Sequence, residues 1–305
     1  MTSNEKKERN DRFDRAERVI WVGFGVNAFL MVLKLVAGWF GKSEAVFADG
    51  LESMCDFFAI TSAMVALRMG RKQFDREHPY GHGKAESVSA ILVASLILMT
   101  GVGIVWQSAH TMISHQLETP AMMAVIAAAL TILIKEGLCR YTLRVAGHLE
   151  SPSVLAVAKD HRKDALTSIA TLIGVTGAFL GFKIMDPIAA VVSAFFIIRM
   201  GWETLHPALG DLMDASLPPE LLAEMSRTAA GIEGVAGIHE IRGRRSGQYL
   251  IVDLKLEMDA LMTVKRSHDV ATSVKRQLFC QFPNIGDVMI HINPHAEPHE
   301  DLTRL

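Results

Sequence analysis

Between residues 19 and 205 the chain carries six apolar runs, each near the roughly 20 residues an α-helix needs to cross a bilayer. They cover residues 19–40, 45–69, 87–113, 121–141, 157–182 and 184–205. Hydrophobic residues make up 50% of the 305, and mean hydropathy is +0.25, which argues against both a disordered chain and a purely cytosolic fold. The expectation is an α-helical membrane protein with six transmembrane helices over residues 19–206, followed by a soluble part.

Basic residues in the connections set the orientation. They crowd the charged tail 1–18 (Lys6, Lys7, Arg9, Arg12, Arg15, Arg18) and the connection after the second run (Arg68, Arg71, Lys72, Arg76, Lys84). Arg140, Arg144 and Lys159 follow the fourth run, whereas residues 114–120 hold no Lys or Arg, and Lys42 and Lys183 stand alone. Both termini are therefore expected to be cytoplasmic. The tail lacks an apolar core and a small-residue cleavage site, so it reads as a solvated segment rather than a signal peptide.

From residue 207 the pattern changes. Residues 218–230 read as a helix, 235–242 and 248–258 as strands, 263–282 as a helix and 287–292 as a last strand. In the second strand Leu250, Val252, Leu254, Leu256 and Met258 alternate with Asp253, Lys255 and Glu257. This α+β (αββαβ) cytosolic domain spans 207–296, ahead of a tail at 297–305. Its roughly 90 residues bury only a modest core, which favours dimerisation.

Several function classes are excluded. A net charge of −2 gives no footing for a nucleic-acid partner. Cys55, Cys139 and Cys280 lie far apart and form neither a disulfide framework nor a thiolate zinc site. No Ser-His-Asp set, HExxH, P-loop or glycine-rich nucleotide motif is present, so neither an enzyme nor a nucleotide-driven pump is expected.

The chemistry lies in acids placed inside apolar runs. A charge within the bilayer costs a few kcal/mol or more, roughly, and faces a cavity, a partner or an ion. Glu52 and Asp56 are four apart, on one helix face, with Asp49 a turn earlier. Asp160 and Asp164 repeat the spacing in the fifth run. Two such pairs make a cage of oxygen donors for a divalent cation. The bland alternative, acids near water or paired with Lys34 and Lys159, stays open for Asp49 and Asp160. It is weak for Glu52, Asp56 and Asp164 together, because the runs supply no equal number of buried cations.

With these residues in view, the chain resembles the cation diffusion facilitator family. The resemblance is carried by Ala48-Asp-Gly-Leu-Glu-Ser-Met-Cys-Asp56, His78-Pro-Tyr-Gly-His-Gly-Lys-Ala-Glu86, Asp160-His-Arg-Lys-Asp-Ala-Leu-Thr-Ser168 and Leu212-Met-Asp-Ala-Ser-Leu-Pro218. It implies a transport site of Glu52, Asp56, Asp160 and Asp164, a homodimer in membrane lipid, and a metallochaperone-like cytosolic domain. It also implies a loop metal site of Asp75, His78 and His82, whose bland alternative is a structural loop with hydrated imidazoles. Lys84 and Asp214 match the family's charged interlock at the dimer interface; otherwise they are two separate surface charges.

In the cytosolic domain Asp253, His268 and His291 fall where magnetosome members bind regulatory metal between protomers, and His239 falls on a zinc-member ligand. Lys255 and Asn293 stand where other zinc ligands would be, which disfavours a full zinc cluster. His161, about 100° around the helix from Asp160, is expected to face water or headgroups. Asp49 is a candidate for a proton or ion path.

An all-carboxylate cage is hard, so Mn²⁺ or Fe²⁺ is preferred to Zn²⁺. Protons and metal compete for the same oxygens, which gives a physical basis for cation–proton antiport and, with an inward proton gradient, for efflux from the cytoplasm. The resemblance places such a transporter in a bacterial inner membrane or an invagination of it. A non-transporting membrane metal sensor or scaffold on the same fold is the alternative.

Overall fold

The structure is a computed structural model that describes residues 3–70, 72, 75–149 and 152–295, the side chains of 3–17, 20, 147–149, 152–156 and 160 excepted. The expected tail 297–305 lies outside the described residues. Every apolar run becomes a helix: α1 (Ser3–Phe40), α2 (Glu44–Gly70), α3 (Ala85–Ile113), α4 (Met122–Leu149), α5 (Pro152–Phe179) and α6 (Met185–Leu212).

Two differences from the sequence expectation have physical causes. Helix α1 begins at Ser3, so the charged segment is continuous with the first run rather than a separate tail; its Glu, Lys and Arg residues are good helix formers. Among the described residues, α1, α2, α3, α4 and α6 are long and apolar enough to cross a membrane, but α5 is not. Lys159, Asp160, Arg162, Lys163 and Asp164 interrupt its apolar run, and it packs along α4 and α1.

The chain divides into two compact units, Met1–Thr61 with Leu92–Thr204, and Ser62–Ile91 with Leu205–Leu305. The connection between α2 and α3 thus groups with the C-terminal part rather than with the helices before residue 206. In the first unit small residues let helices approach closely. Ala48, Ala190 and Ala194 pack with Cys55, Ile97 and Ile197, and Ala37, Val46, Ala124, Ala127, Ala128 and Val175 form a second cluster. The outward surface is apolar, with Trp21, Phe29, Trp39, Met99, Trp106 and Leu133 exposed, as a lipid-facing surface requires.

The start of α2 is fastened by a residue from α6. The Asp186 carboxylate accepts a hydrogen bond from the Ser43 hydroxyl at 2.6 Å and one from the Glu44 backbone N–H at 2.6 Å. It thereby satisfies an orphan donor in the first turn of α2 and places negative charge at the positive end of that helix. The Ser43 hydroxyl oxygen in turn accepts from the Val46 backbone N–H.

In the second unit, α7 (Pro219–Ala230), β1 (Gly237–Ser246), β2 (Tyr249–Met258), α8 (Val264–Gln281) and β3 (Ile285–Pro294) follow in the expected order. Strand β2 is central, antiparallel to β1 and parallel to β3. Its alternating Leu250, Val252, Leu254, Leu256 and Met258 form a core with Met225 and Ala229 of α7 and with Val270, Val274 and Leu278 of α8. The last three recur every fourth residue, one stripe of a helix. Both helices therefore cover one face of the sheet and leave Asp253, Lys255 and Glu257 on the other. The Thr263 hydroxyl caps α8 by accepting from the Arg266 N–H.

Candidate metal-transport site

Helix α2 carries three acids along one stripe, and the structure separates their surroundings. Asp49 is 3% exposed and held on all sides. Lys34 of α1 donates to its Oδ1 at 3.0 Å and to its backbone carbonyl at 3.4 Å, and Ser168 of α5 donates to the carboxylate at 3.2 Å. The same Lys34 ammonium donates to Ser53 Oγ at 2.9 Å. Asp49 thus sits in a closed network of three helices.

Glu52 and Asp56 are different. Neither has an ion-pair partner among the described residues, and Glu52 Oε2 is buried without any hydrogen bond. A buried acceptor left unpaired is costly and calls for an explanation, such as an ion that completes it. The Ser168–Asp49 bond holds α5 against α2, the helices that carry Asp164 and the Glu52–Asp56 pair. Asp160 lies one turn before Asp164 in α5, but its side chain is outside the described residues.

Asp164 is capped. Lys135 of α4, with only 3% of its side chain exposed, donates to Asp164 Oδ2 at 2.6 Å. The sequence alone did not assign Lys135 to the site; its signal is a lysine within the apolar run of α4. His161 departs from its expected surroundings. It is 4% exposed and its Nε2, without a hydrogen bond, lies where a Cβ at Gly23 of α1 would approach to 3.2 Å. The absent side chain at Gly23 makes room for the imidazole between α1 and α5, away from water.

Outside the helices, Asp75, His78 and His82 form the one trio of possible ligands among the described residues whose ligand atoms all lie within 4.8 Å of one another. His78 Nδ1 is 3.4 Å from Asp75 Oδ1, His82 Nε2 is 3.6 Å from Asp75 Oδ2, and the two rings stack at 4.3 Å. The hydrogen bond from Lys72 and the backbone N–H of His78 hold the Asp75 carboxyl well below the usual carboxylate range. His82 Nδ1 is buried without a partner. Gly83, next along, packs on the turn between β1 and β2, where a Cβ would collide with the Ser246 carbonyl oxygen. Lys84 donates to Asp214 Oδ1 at 2.7 Å, Arg244 stands 3.6 Å from Oδ2, and the Lys84 bond depresses the Asp214 carboxyl.

In the cytosolic domain the four expected ligands do not assemble within one protomer. Asp253 and His291 share the polar face of the sheet, on β2 and β3. His268 is exposed on α8, which packs on the opposite face. His239 is the extra residue where the β1 register shifts, and its Nδ1 lies 3.4 Å from Glu257 Oε1. His295 Nδ1 is 2.8 Å from Glu257 Oε2. These imidazoles, His295 first, keep the Glu257 carboxyl below its ordinary range.

Comparison with known proteins places this arrangement. Residues 20–213 match the model of the cation efflux transmembrane domain, and residues 217–295 match that of the cation efflux protein cytoplasmic domain. Metal tolerance protein C1 of Arabidopsis thaliana is 32% identical over 313 residues, which cover 95% of this chain and 66% of that protein. Manganese efflux system protein MneP of Bacillus subtilis is 31% identical over 295 residues, covering 94% of this chain and 99% of the relative. Magnetosome protein MamB of Paramagnetospirillum magneticum is 31% identical over 281 residues, 92% and 95% of the two chains. The family is one of multi-pass membrane transporters for divalent metal cations, not of enzymes. With both of its domain models matched in order along one chain, the protein belongs to the cation efflux family, the cation diffusion facilitators.

Proposed function

We propose that this transporter exports Mn²⁺ or Fe²⁺, with Zn²⁺ as a weaker cargo, in exchange for protons, using Glu52, Asp56, Asp160 and Asp164 as the ligands that carry the ion. The observation that supports it most is the buried, unpaired Oε2 of Glu52, an acceptor left open on a helix that bonds to α5 through Asp49 and Ser168. Oxygen donors without imidazole suit hard or borderline cations. The relative MneP is named for manganese efflux, which agrees with that preference.

Protons drive the cycle by competing for the same carboxylates, and the cage opens alternately to the two sides. Asp49, locked to Lys34 and Ser168, is assigned to the proton or ion path beside the cage rather than to ligation. Asp75, His78 and His82 form an auxiliary metal site on the loop, and Lys84 and Asp214 the interlock. Metal held by Asp253, His268 and His291, with His239 nearby, draws two cytosolic domains of a homodimer together and biases the helices of the membrane domain. Both termini face the cytoplasm, and a bacterial inner membrane or an invagination of it houses the protein, in keeping with the basic connections.

Metal flux into proteoliposomes with an imposed pH gradient tests this reading, run in parallel with Mn²⁺, anaerobic Fe²⁺, Zn²⁺ and Ca²⁺. Gradient-dependent Mn²⁺ or Fe²⁺ flux that Asp56→Ala and Asp164→Ala both abolish supports it. Dominant Zn²⁺ flux overturns the cargo assignment, and flux unchanged in the folded variants overturns the cage.

A further inference from the structure

Among the described residues two lysines are buried within the helical unit, and they are held in different ways. Lys34 is saturated: Asp49 Oδ1, Asp49 O and Ser53 Oγ offer three acceptors to its three N–H groups. Lys135 has a single hydrogen-bond acceptor among the described residues, Asp164 Oδ2. The charges beside it on α4 are spent elsewhere, since Arg140 donates to Glu136 at 2.7 Å on the outer face of the helix. Lys135 alone turns inward, and its one partner is a proposed ligand of the transported ion.

We propose that Lys135 is a tethered competitor for the transported cation: its ammonium occupies Asp164 while the cage is empty of metal and leaves that carboxylate when a divalent ion binds. This rests on the transport role assigned above. A metal ligated by Asp164 needs an oxygen at roughly 2.0–2.6 Å, close to the position the ammonium now holds 2.6 Å from Oδ2. Two cations do not share that space, because both need the same oxygen and repel each other at contact distance. The lysine can vacate it by rotating its four-carbon stem after breaking one hydrogen bond. Lys34, fixed by three, cannot do so cheaply.

The pair is enclosed on the lysine side only, with Lys135 3% and Asp164 28% exposed, so the carboxylate stays open to an incoming ion while its ammonium partner is held inside. The proposed cage is lopsided: on α2 Glu52 offers an open oxygen, whereas on α5 Asp164 is already charge-compensated. An arriving ion docks first on α2 and reaches Asp164 only by displacing Lys135, and the returning ammonium helps expel it.

The test is equilibrium Mn²⁺ binding to the purified full-length protein at one fixed pH, read from the free-Mn²⁺ electron paramagnetic resonance signal, with Lys135→Gln, Lys135→Met and Lys135→Arg. Loss of the competitor should tighten binding in the Gln and Met variants by about tenfold or more, a factor worth about 1.4 kcal/mol. Their proton-driven maximal flux should fall, which splits affinity from turnover. The Arg variant should bind more weakly than wild type, since a guanidinium grips both carboxylate oxygens. A structural role predicts weaker binding in the neutral variants and near-normal binding in Arg, and that result overturns the proposal. If neither neutral variant folds, the Arg variant decides alone: binding equal to or tighter than wild type refutes it. Failure of wild type to show Asp164-dependent binding of Mn²⁺, Fe²⁺ or Zn²⁺ sinks the transport reading itself, an outcome distinct from unchanged affinity at position 135.

Discussion

The Lys34–Asp49 pair gives a quantitative test of how the helical unit is held. At 3.0 Å, and with an effective dielectric of about 20, the attraction is about 5.5 kcal/mol. Most of that offsets the desolvation of two side chains only 2% and 4% exposed. Removing one partner leaves the other charge buried among apolar helices, so Lys34→Met or Asp49→Asn should each destabilise by about 3–5 kcal/mol. For a chain of this size that lowers the unfolding midpoint by roughly 10 °C. The double variant, with neither charge, should return to within about 1 kcal/mol of wild type, because a buried pair is nearly balanced against its neutral replacement.

The unfolding probe is native to the protein. Cys55 and Cys139 are 1% and 2% exposed, whereas Cys280 is exposed. In a Cys280→Ser background a fluorogenic maleimide therefore reports the opening of α2 and α4 during a thermal ramp in detergent. A double variant that falls by the sum of the two single losses shows no coupling, and refutes the claim that each charge is there to neutralise the other.

Other outcomes follow from the same geometry. Before any heating, maleimide should modify Cys280 within the folded protein and spare Cys55 and Cys139; stoichiometric labelling of all three would contradict the burial of the helix interior. Asp287 is held below its ordinary range by Lys275, so its folded-state stabilisation is complete above the unfolded carboxyl's value, about 4, and fades as pH drops through the lower folded value. Lys275→Met should therefore flatten the pH dependence of the cytosolic domain's melting below about pH 4, and an unchanged profile would exclude the pair as its source. Gly83→Ala forces a methyl against Ser246 O, so the loop should lift from the β1–β2 turn and be cut faster by trypsin at Arg76 and Lys84; unchanged cleavage would mean that the contact is dispensable. In flux assays Asp56→Ala and Asp164→Ala should both be silent while remaining folded.

Period and length made most of the architecture legible. The alternation from Leu250 to Met258 marked β2 because the pleat puts every second side chain into one core, and the Val270, Val274, Leu278 stripe marked α8. The acids of α2 stood out because charge in an apolar run is expensive. Partnership was only partly legible. The sequence already set Asp49 apart from Glu52 and Asp56, with Lys34 as a possible partner, but that this lysine reaches Asp49 depends on how α1 lies against α2. Lys135 was visible beside Glu136 as a charge in an apolar run, but its pairing with Asp164 depends on the packing of α4 along α5. His161 turned inward because Gly23, distant in sequence, leaves a gap for it. The bonding of Glu257 to both His239 and His295 was likewise hidden, since a register shift in β1 sets one of the two contacts.

The carboxylate of Asp186 at the start of α2 makes that end of the helix a fulcrum. From Glu44 to Asp56 the helix runs about 18 Å at 1.5 Å per residue. Pivoting by about 10° around the clamped end would swing Asp56 through about 3 Å while barely moving Ser43, a displacement larger than a metal–oxygen bond of roughly 2.3 Å. Such a tilt would leave the Ala48, Ala190 and Ala194 contacts near the pivot almost in place, and would have to be taken up farther along, where Cys55 packs with Ile97 and Ile197. Cutting the clamp, as in Asp186→Asn with Ser43→Ala, would replace one pivot by a sliding contact and lose that amplification.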